Sequence, residues 1–142
     1  MCHGTRGLSL SSSIFRDVFF LLLLLSAARL IRPEINKCAA RARAFDEAAT
    51  LAQLEFWDQF LQPTPRLAEI TRLASSISQN IADAHKHYRR MQGMQRATPA
   101  PKSLRAYAAF LADVASDEKL GKRLLRRADE IEEARMHQRT GA

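Results

Sequence analysis

Hydrophobic positions in this chain form one unbroken run followed by four stripes at helical spacing. The run is Val18-Phe19-Phe20-Leu21-Leu22-Leu23-Leu24-Leu25, closed by Ser26-Ala27-Ala28, and its eleven residues carry no charge. As a helix rising about 1.5 Å per residue they would extend roughly 16 Å, about half of a hydrocarbon core of ~30 Å. Spanning that core requires everything from Ile14 to Ile31, which draws Arg16, Asp17 and Arg29 into the interfaces. The length suits a secretory leader better. Basic Arg6 and Arg16 precede the run, and Ser26 and Ala28 stand at −3 and −1 of a cleavage point before Arg29. Residues 1–28 are therefore expected to be a hydrophobic leader, either signal peptide or membrane anchor, ahead of a helical bundle domain over 29–142.

The flanking charge keeps the anchor reading open. Arg29, Arg32, Lys37, Arg41 and Arg43 crowd the downstream side, which the positive-inside rule would hold in the cytoplasm. Two further readings are a buried core helix and an organellar import sequence. The latter draws on Ser9, Ser11, Ser12, Ser13, Arg6 and Arg16 with no acid before Asp17. The pentaleucine opposes import, because transit peptides are amphipathic. These readings predict membrane or export localisation ahead of a cytoplasmic one.

Beyond the run, Pro33 with Glu34 suits the first turn of a new helix, which places a boundary at Arg32. Ile35, Cys38, Ala42, Phe45, Ala49, Ala52 and Phe56 recur at three and four, with Leu51, Trp57 and Phe60 widening the face. That helix stops in Gln62-Pro63-Thr64-Pro65, where Thr64 is placed to cap the next one. The second stripe is Leu67, Ile70, Ala74, Ile77, Ile81, Ala84, Tyr88 and Met91, ending near Gly93. Its short connection to the first predicts antiparallel neighbours. Pro99 and Pro101 mark a linker. After it, Ser103 is expected to cap a short helix with Leu104, Tyr107, Ala108, Leu111 and Val114. Ser116 is expected to cap a last one with Leu120, Leu124, Ala128 and Ile131, fraying near Met136. No repeat at a solenoid period is evident. The predicted fold is all-α: a small bundle made of a long antiparallel hairpin and a C-terminal helix pair behind an N-terminal hydrophobic segment.

Charge changes this picture in one place. The chain carries a net charge of +7, yet from Ala84 to Ala112 it contains no acid. Lys86, Arg89, Arg90, Arg96, Lys102 and Arg105 lie in that stretch and could meet nucleic acid, anionic lipid or an acidic protein surface. Basic residues near a helix C-terminus also need no ligand, being favoured there by the dipole. Cys2 and Cys38 are the two cysteines, and Cys38 falls on the first apolar stripe, where it reads as a small buried hydrophobe.

Candidate chemistry is sparse. His85 and His87 are two apart and face different ways on a helix, so they do not chelate one metal together. Asp83 and His87, like Glu133 and His137, have the spacing of a surface ion pair. Ser75, Ser76 and Ser78 lie within a helix without the sharp turn a nucleophile uses, and Gly4 and Gly7 form no phosphate loop. The stretch Glu69 to Ser78 resembles the entry to a helix-turn-helix, but Ile70, Ala74, Ile77, Ile81 and Ala84 keep one phase through it, which favours a single continuous helix. No catalytic residue, cofactor or metal site is expected, and no small-molecule substrate is implied. The chain reads as a non-enzymatic helical interaction protein, membrane-anchored or exported. It works through a protein partner or self-association, with Phe56, Trp57 and Phe60 as the candidate interface. The alternative is a cytosolic nucleic-acid accessory protein that uses the basic stretch.

Overall fold

The computed structural model describes the backbone of residues 9–141 and the side chains of residues 13–141. Cys2, Gly4, Arg6 and Gly7, which enter the leader and phosphate-loop readings, lie outside the described residues. Four helices follow in order, α1 (Ser9–Leu61), α2 (Leu67–Met94), α3 (Pro101–Asp113) and α4 (Glu118–Thr140), and among the described residues there is no strand. The all-α expectation holds. The chain divides between Glu34 and Ile35 into two compact units.

In the first unit the apolar run is helical and uncovered. The side chains from Val18 to Leu25 are between 48% and 65% exposed, and Ser26 donates back to the Leu22 carbonyl at 2.7 Å. Within this unit no other element covers the run. Two phenylalanines and five leucines in succession put apolar groups around the whole circumference, leaving no polar side to face water. Among the described residues no helix is long and apolar enough to cross a membrane, because Arg16 and Asp17 before the run and Arg29 after it cut the stretch short. The transmembrane expectation therefore finds no span. The boundary expected at Arg32 is also absent, since α1 contains Pro33. A proline removes one backbone bond, which the turns on either side of it bridge here.

The second unit holds the core. Cys38, Ala42 and Ala49 of α1 meet Ala84, Tyr88 and Met91 of α2 and Tyr107, Phe110, Leu111 and Val114 from α3 and its C-cap. Ala42, Ala49 and Ala84 are completely buried. Their small side chains leave room for a layer of rings: Tyr88 stacks on Tyr107 with centroids 4.8 Å apart, and Phe110 closes on Tyr88 at 5.3 Å. Cys38 is buried and unpaired, as its stripe predicted. The second stripe is correct in its C-terminal half, but near its start Leu73 is buried in place of Ala74, and Leu67 is 77% exposed.

The caps differ from expectation by a residue or more. α2 begins behind Arg66 with no side-chain cap, so Thr64 and Pro65 stay in the connection. α3 takes Pro101 in its first turn, where the missing N–H is harmless, and Ser103 lies inside the helix. α4 is capped by Asp117, whose carboxylate accepts from the Leu120 N–H at 3.0 Å. Ser116, the expected cap, instead takes a left-handed φ of 57° and turns the chain, while the Asp117 N–H closes the turn on the Leu111 carbonyl at 2.7 Å. α4 stays helical to Thr140 and does not fray at Met136.

α3 and α4 pack tightly because Gly121 has no side chain. A Cβ there would stand 3.1 Å from the Ala108 carbonyl oxygen and 3.7 Å from Leu111 Cβ. Gly121→Val should force the two helices apart and destabilise the second unit by about 1–3 kcal/mol. Thermal unfolding followed by far-UV circular dichroism measures this, and an unchanged midpoint would contradict the packing.

Candidate protein-binding groove

Three helices of the second unit enclose a groove of about 280 Å³. Its floor is Tyr88 and Met91 of α2, each 2% exposed. Ile35 and Ala39 of α1 and Ala106 of α3 continue the apolar lining, and Asn36, Arg43, Gln95, Lys102 and Ser103 supply polar groups. The sequence dictates this mixture locally. The apolar stripes of α1 and α2 converge on their shared core, while the next residues around each helix carry Asn36, Arg43 and Gln95 to the edge. Pro101 starts α3 at a point that brings Lys102 and Ser103 into the lining. The result is an apolar slot with two cations, Arg43 and Lys102, and no acid among the residues that line it.

The basic residues singled out in the sequence do not act together. Lys102 belongs to the groove. Arg105 points to α4, where its guanidinium donates to Asp129 at 2.6 Å and to Glu132 at 2.9 Å. These two acids raise its pKa, and its charge is already matched. Lys86, Arg89 and Arg90 are exposed on α2, and Arg96 is exposed in the connection to α3. Of the aromatic trio, Phe56 is half-buried, whereas Trp57 and Phe60 are 58% and 56% exposed. Their rings contact one another, with Trp57 edge-on to Phe56 at 5.5 Å and to Phe60 at 6.2 Å. Periodicity did not reveal Asn36, Arg43, Gln95 and Ser103 as groove residues. A stripe separates buried from solvated positions but does not show which solvated positions from different helices meet.

The histidines take structural places. His85 Nδ1 lies 2.9 Å from the Tyr107 hydroxyl, a hydrogen bond that the phenol can donate to a neutral ring. Burial and then Arg89 hold the His85 pKa below its usual value. His87 does not pair with Asp83, which accepts instead from the Gln79 amide at 3.0 Å. The His87 ring stacks on Phe45 with centroids 5.6 Å apart and planes 6° from parallel, and its Nδ1 is buried without a partner. Burial, followed by Arg41 and Lys86, depresses its pKa as well. Among the described residues no three His, Cys, Asp or Glu side chains converge on a point that could hold a metal.

Helical hairpins stacked on one another around small-residue contacts are how repeat proteins are built. The family described as TmcB, TPR repeats matches residues 32–138. The chain belongs to this family. No curated protein and no solved structure matches it. TPR repeats are helix–turn–helix units of about 34 residues, each covering the apolar face that its neighbour leaves open. That membership corrects the absence of a repeat in the sequence reading. The hairpin of α2 with the second-unit part of α1 is long, whereas α3 has 13 residues and α4 has 23, so no constant period survives. The close approach of Gly121 to Ala108 is a packing feature, visible only once the helices are paired.

Both histidine pKa values lie below the unfolded value, so between the two the unfolded chain binds more protons and stability rises with pH. This contribution is present above pH 6.5 and is lost as pH falls below it. Melting temperature should therefore drop between pH 7 and pH 5, and the drop should shrink in a His85→Gln/His87→Gln variant. An equal drop in both proteins would remove the histidines as its cause.

Proposed function

We propose that this TPR-repeat protein is a non-enzymatic interaction module that takes a segment of a partner protein in the groove between α1, α2 and α3. The observation that carries the reading is the groove itself, with Tyr88 and Met91 as floor and Arg43 and Lys102 beside them. An apolar side chain of the partner would fill the slot and release water from both surfaces, while acidic groups next to it would meet the two cations. Membership of a repeat family supports this use, since stacked helical repeats present extended concave binding surfaces. Nucleic acid is the weaker partner for this site. Arg105 is neutralised by α4, and the slot is floored by apolar groups with no ring laid open for stacking on a base.

The reading includes export. Val18 to Leu25 form a fully apolar, exposed helical surface, which is costly in water and suits a segment handled by a secretion machinery and then removed. Ser26 and Ala28 set the cleavage point before Arg29. Intact mass with cell fractionation tests it. The expected product lacks residues 1–28 and is found outside the cytoplasm, whereas a full-length cytoplasmic product would overturn export and leave the groove proposal standing.

For the groove, peptides selected from a displayed random library should share an apolar anchor beside Asp or Glu. Their binding, followed by fluorescence polarisation, should weaken about tenfold or more in an Arg43→Glu/Lys102→Glu variant. Filling the slot by Ala106→Trp should abolish binding while far-UV circular dichroism stays unchanged. Peptides without acidic character, or binding insensitive to both variants, would sink the proposal.

A further inference from the structure

At the C-terminal end of α1 a second apolar face lies opposite the one that builds the core. Leu51, Leu54 and Leu61 follow one another at three and seven, with Trp57 beside them, and they are 61%, 63%, 80% and 58% exposed. Residues of this size at that exposure form the kind of contiguous patch that marks an interaction surface. Within this stretch of α1 the charge has one sign. From Ala44 to Pro65 the chain contains four acids, Asp46, Glu47, Glu55 and Asp58, and no Lys, Arg or His. Leu54, Glu55, Asp58 and Gln59 of α1 line a cleft of about 490 Å³ with Glu69 and Leu73 of α2. Arg72 of α2 holds Glu69 in this cleft, while Asp46, further back along α1, is pushed above its ordinary pKa by burial and by Glu47 and Asp113.

α4 presents the opposite character. Between Lys119 and Arg127 lie five bases and no acid. Lys119, Lys122, Arg123 and Arg126 fall on the side of the helix away from buried Gly121 and Ala128. Lys122 is engaged by Glu118 at 3.1 Å; among the described residues Lys119, Arg123 and Arg126 make no ion pair. Leu125, 41% exposed, adds an apolar group at the edge of this cationic surface, next to Lys122. The two faces belong to α1 and α4, the first and last helices that the family match covers.

We propose that the acidic apolar face of α1 docks on the basic face of α4 in a second copy of this chain, head to tail. The apolar residues of α1 would lie along α4 beside Leu125, while Glu55 and Asp58 would meet Arg123 and Arg126. This contact is heterologous: each copy uses one face as donor and keeps the other free, so association is open-ended and grows with concentration. It does not involve Arg43 or Lys102, so it stands or falls separately from the peptide groove.

The test is sedimentation velocity on the full chain over about two decades of concentration, with the emission of Trp57, the single tryptophan, as a local probe. Oligomers should grow with concentration, weaken with salt, and shift Trp57 emission to the blue as the ring is covered. Two variants, Leu51→Glu/Leu54→Glu on α1 and Arg123→Glu/Arg126→Glu on α4, alter exposed positions, and circular dichroism checks their fold. Each alone should lose self-association by about tenfold or more. Mixed together they should form a one-to-one dimer, because each keeps the face the other lacks. Arg43→Glu/Lys102→Glu should associate like the parent. A parent that stays monomeric, association that both variants leave intact, or a mixture that does not dimerise would overturn the proposal.

Discussion

The second unit depends on the close approach of α1 and α2 over alanine and cysteine. Cys38, Ala42 and Ala49 belong to one buried cluster with Ala84 and have little or no exposed surface. Larger side chains at these positions would hold the helices apart and open the ring layer formed by Tyr88, Tyr107 and Phe110. With small residues on one side and aromatic rings on the other, the interior fills at the density that cores require. Because the rings come from both α2 and α3, the same layer seats the second hairpin on the first. The amide of Gln53 adds a polar tie by donating to the Val114 carbonyl at 3.1 Å.

The groove is a consequence of that arrangement. Tyr88 and Met91 are buried core residues that also line the slot, so its shape follows from the packing of the core. The same economy applies to the histidines. His85 completes the ring layer through the Tyr107 hydroxyl, and His87 covers Phe45. Burial and neighbouring cations lower both pKa values, and both rings serve packing.

Charge is distributed by segment rather than by residue. The last part of α1 is acidic, the first part of α4 is basic, and the stretch between Ala84 and Ala112 lacks acids. Where such segments meet inside the molecule they are satisfied, as Arg105 is by Asp129 and Glu132 across α3 and α4. Elsewhere they lie on exposed helix faces. The basic stretch therefore loses its apparent unity: Arg105 pairs internally, Lys102 lines the groove, Lys86, Arg89 and Arg90 share an exposed face of α2, and Arg96 lies in the connection to α3.

Read along the chain alone, spacing established the helical class, the first apolar stripe with its buried cysteine, the continuity of α2 through Ser75 and Ser76, and the eleven-residue limit on the uncharged run. Each of these depends on spacing within a single helix, or on charge interrupting a run. The structure alone decided that the run stays exposed and that Pro33 sits within α1. It alone placed the caps at Asp117 and Pro101 instead of Ser116 and Ser103, and fitted Gly121 against the Ala108 carbonyl. It also brought Arg43, Gln95 and Lys102 to one slot. These depend on how separate helices approach, and residues such as Arg43 and Lys102, 59 positions apart in the chain, become neighbours only when small side chains let the helices close. The repeat family was hidden for the same reason: unequal helix lengths erase a fixed period, while the packing that defines the repeat survives.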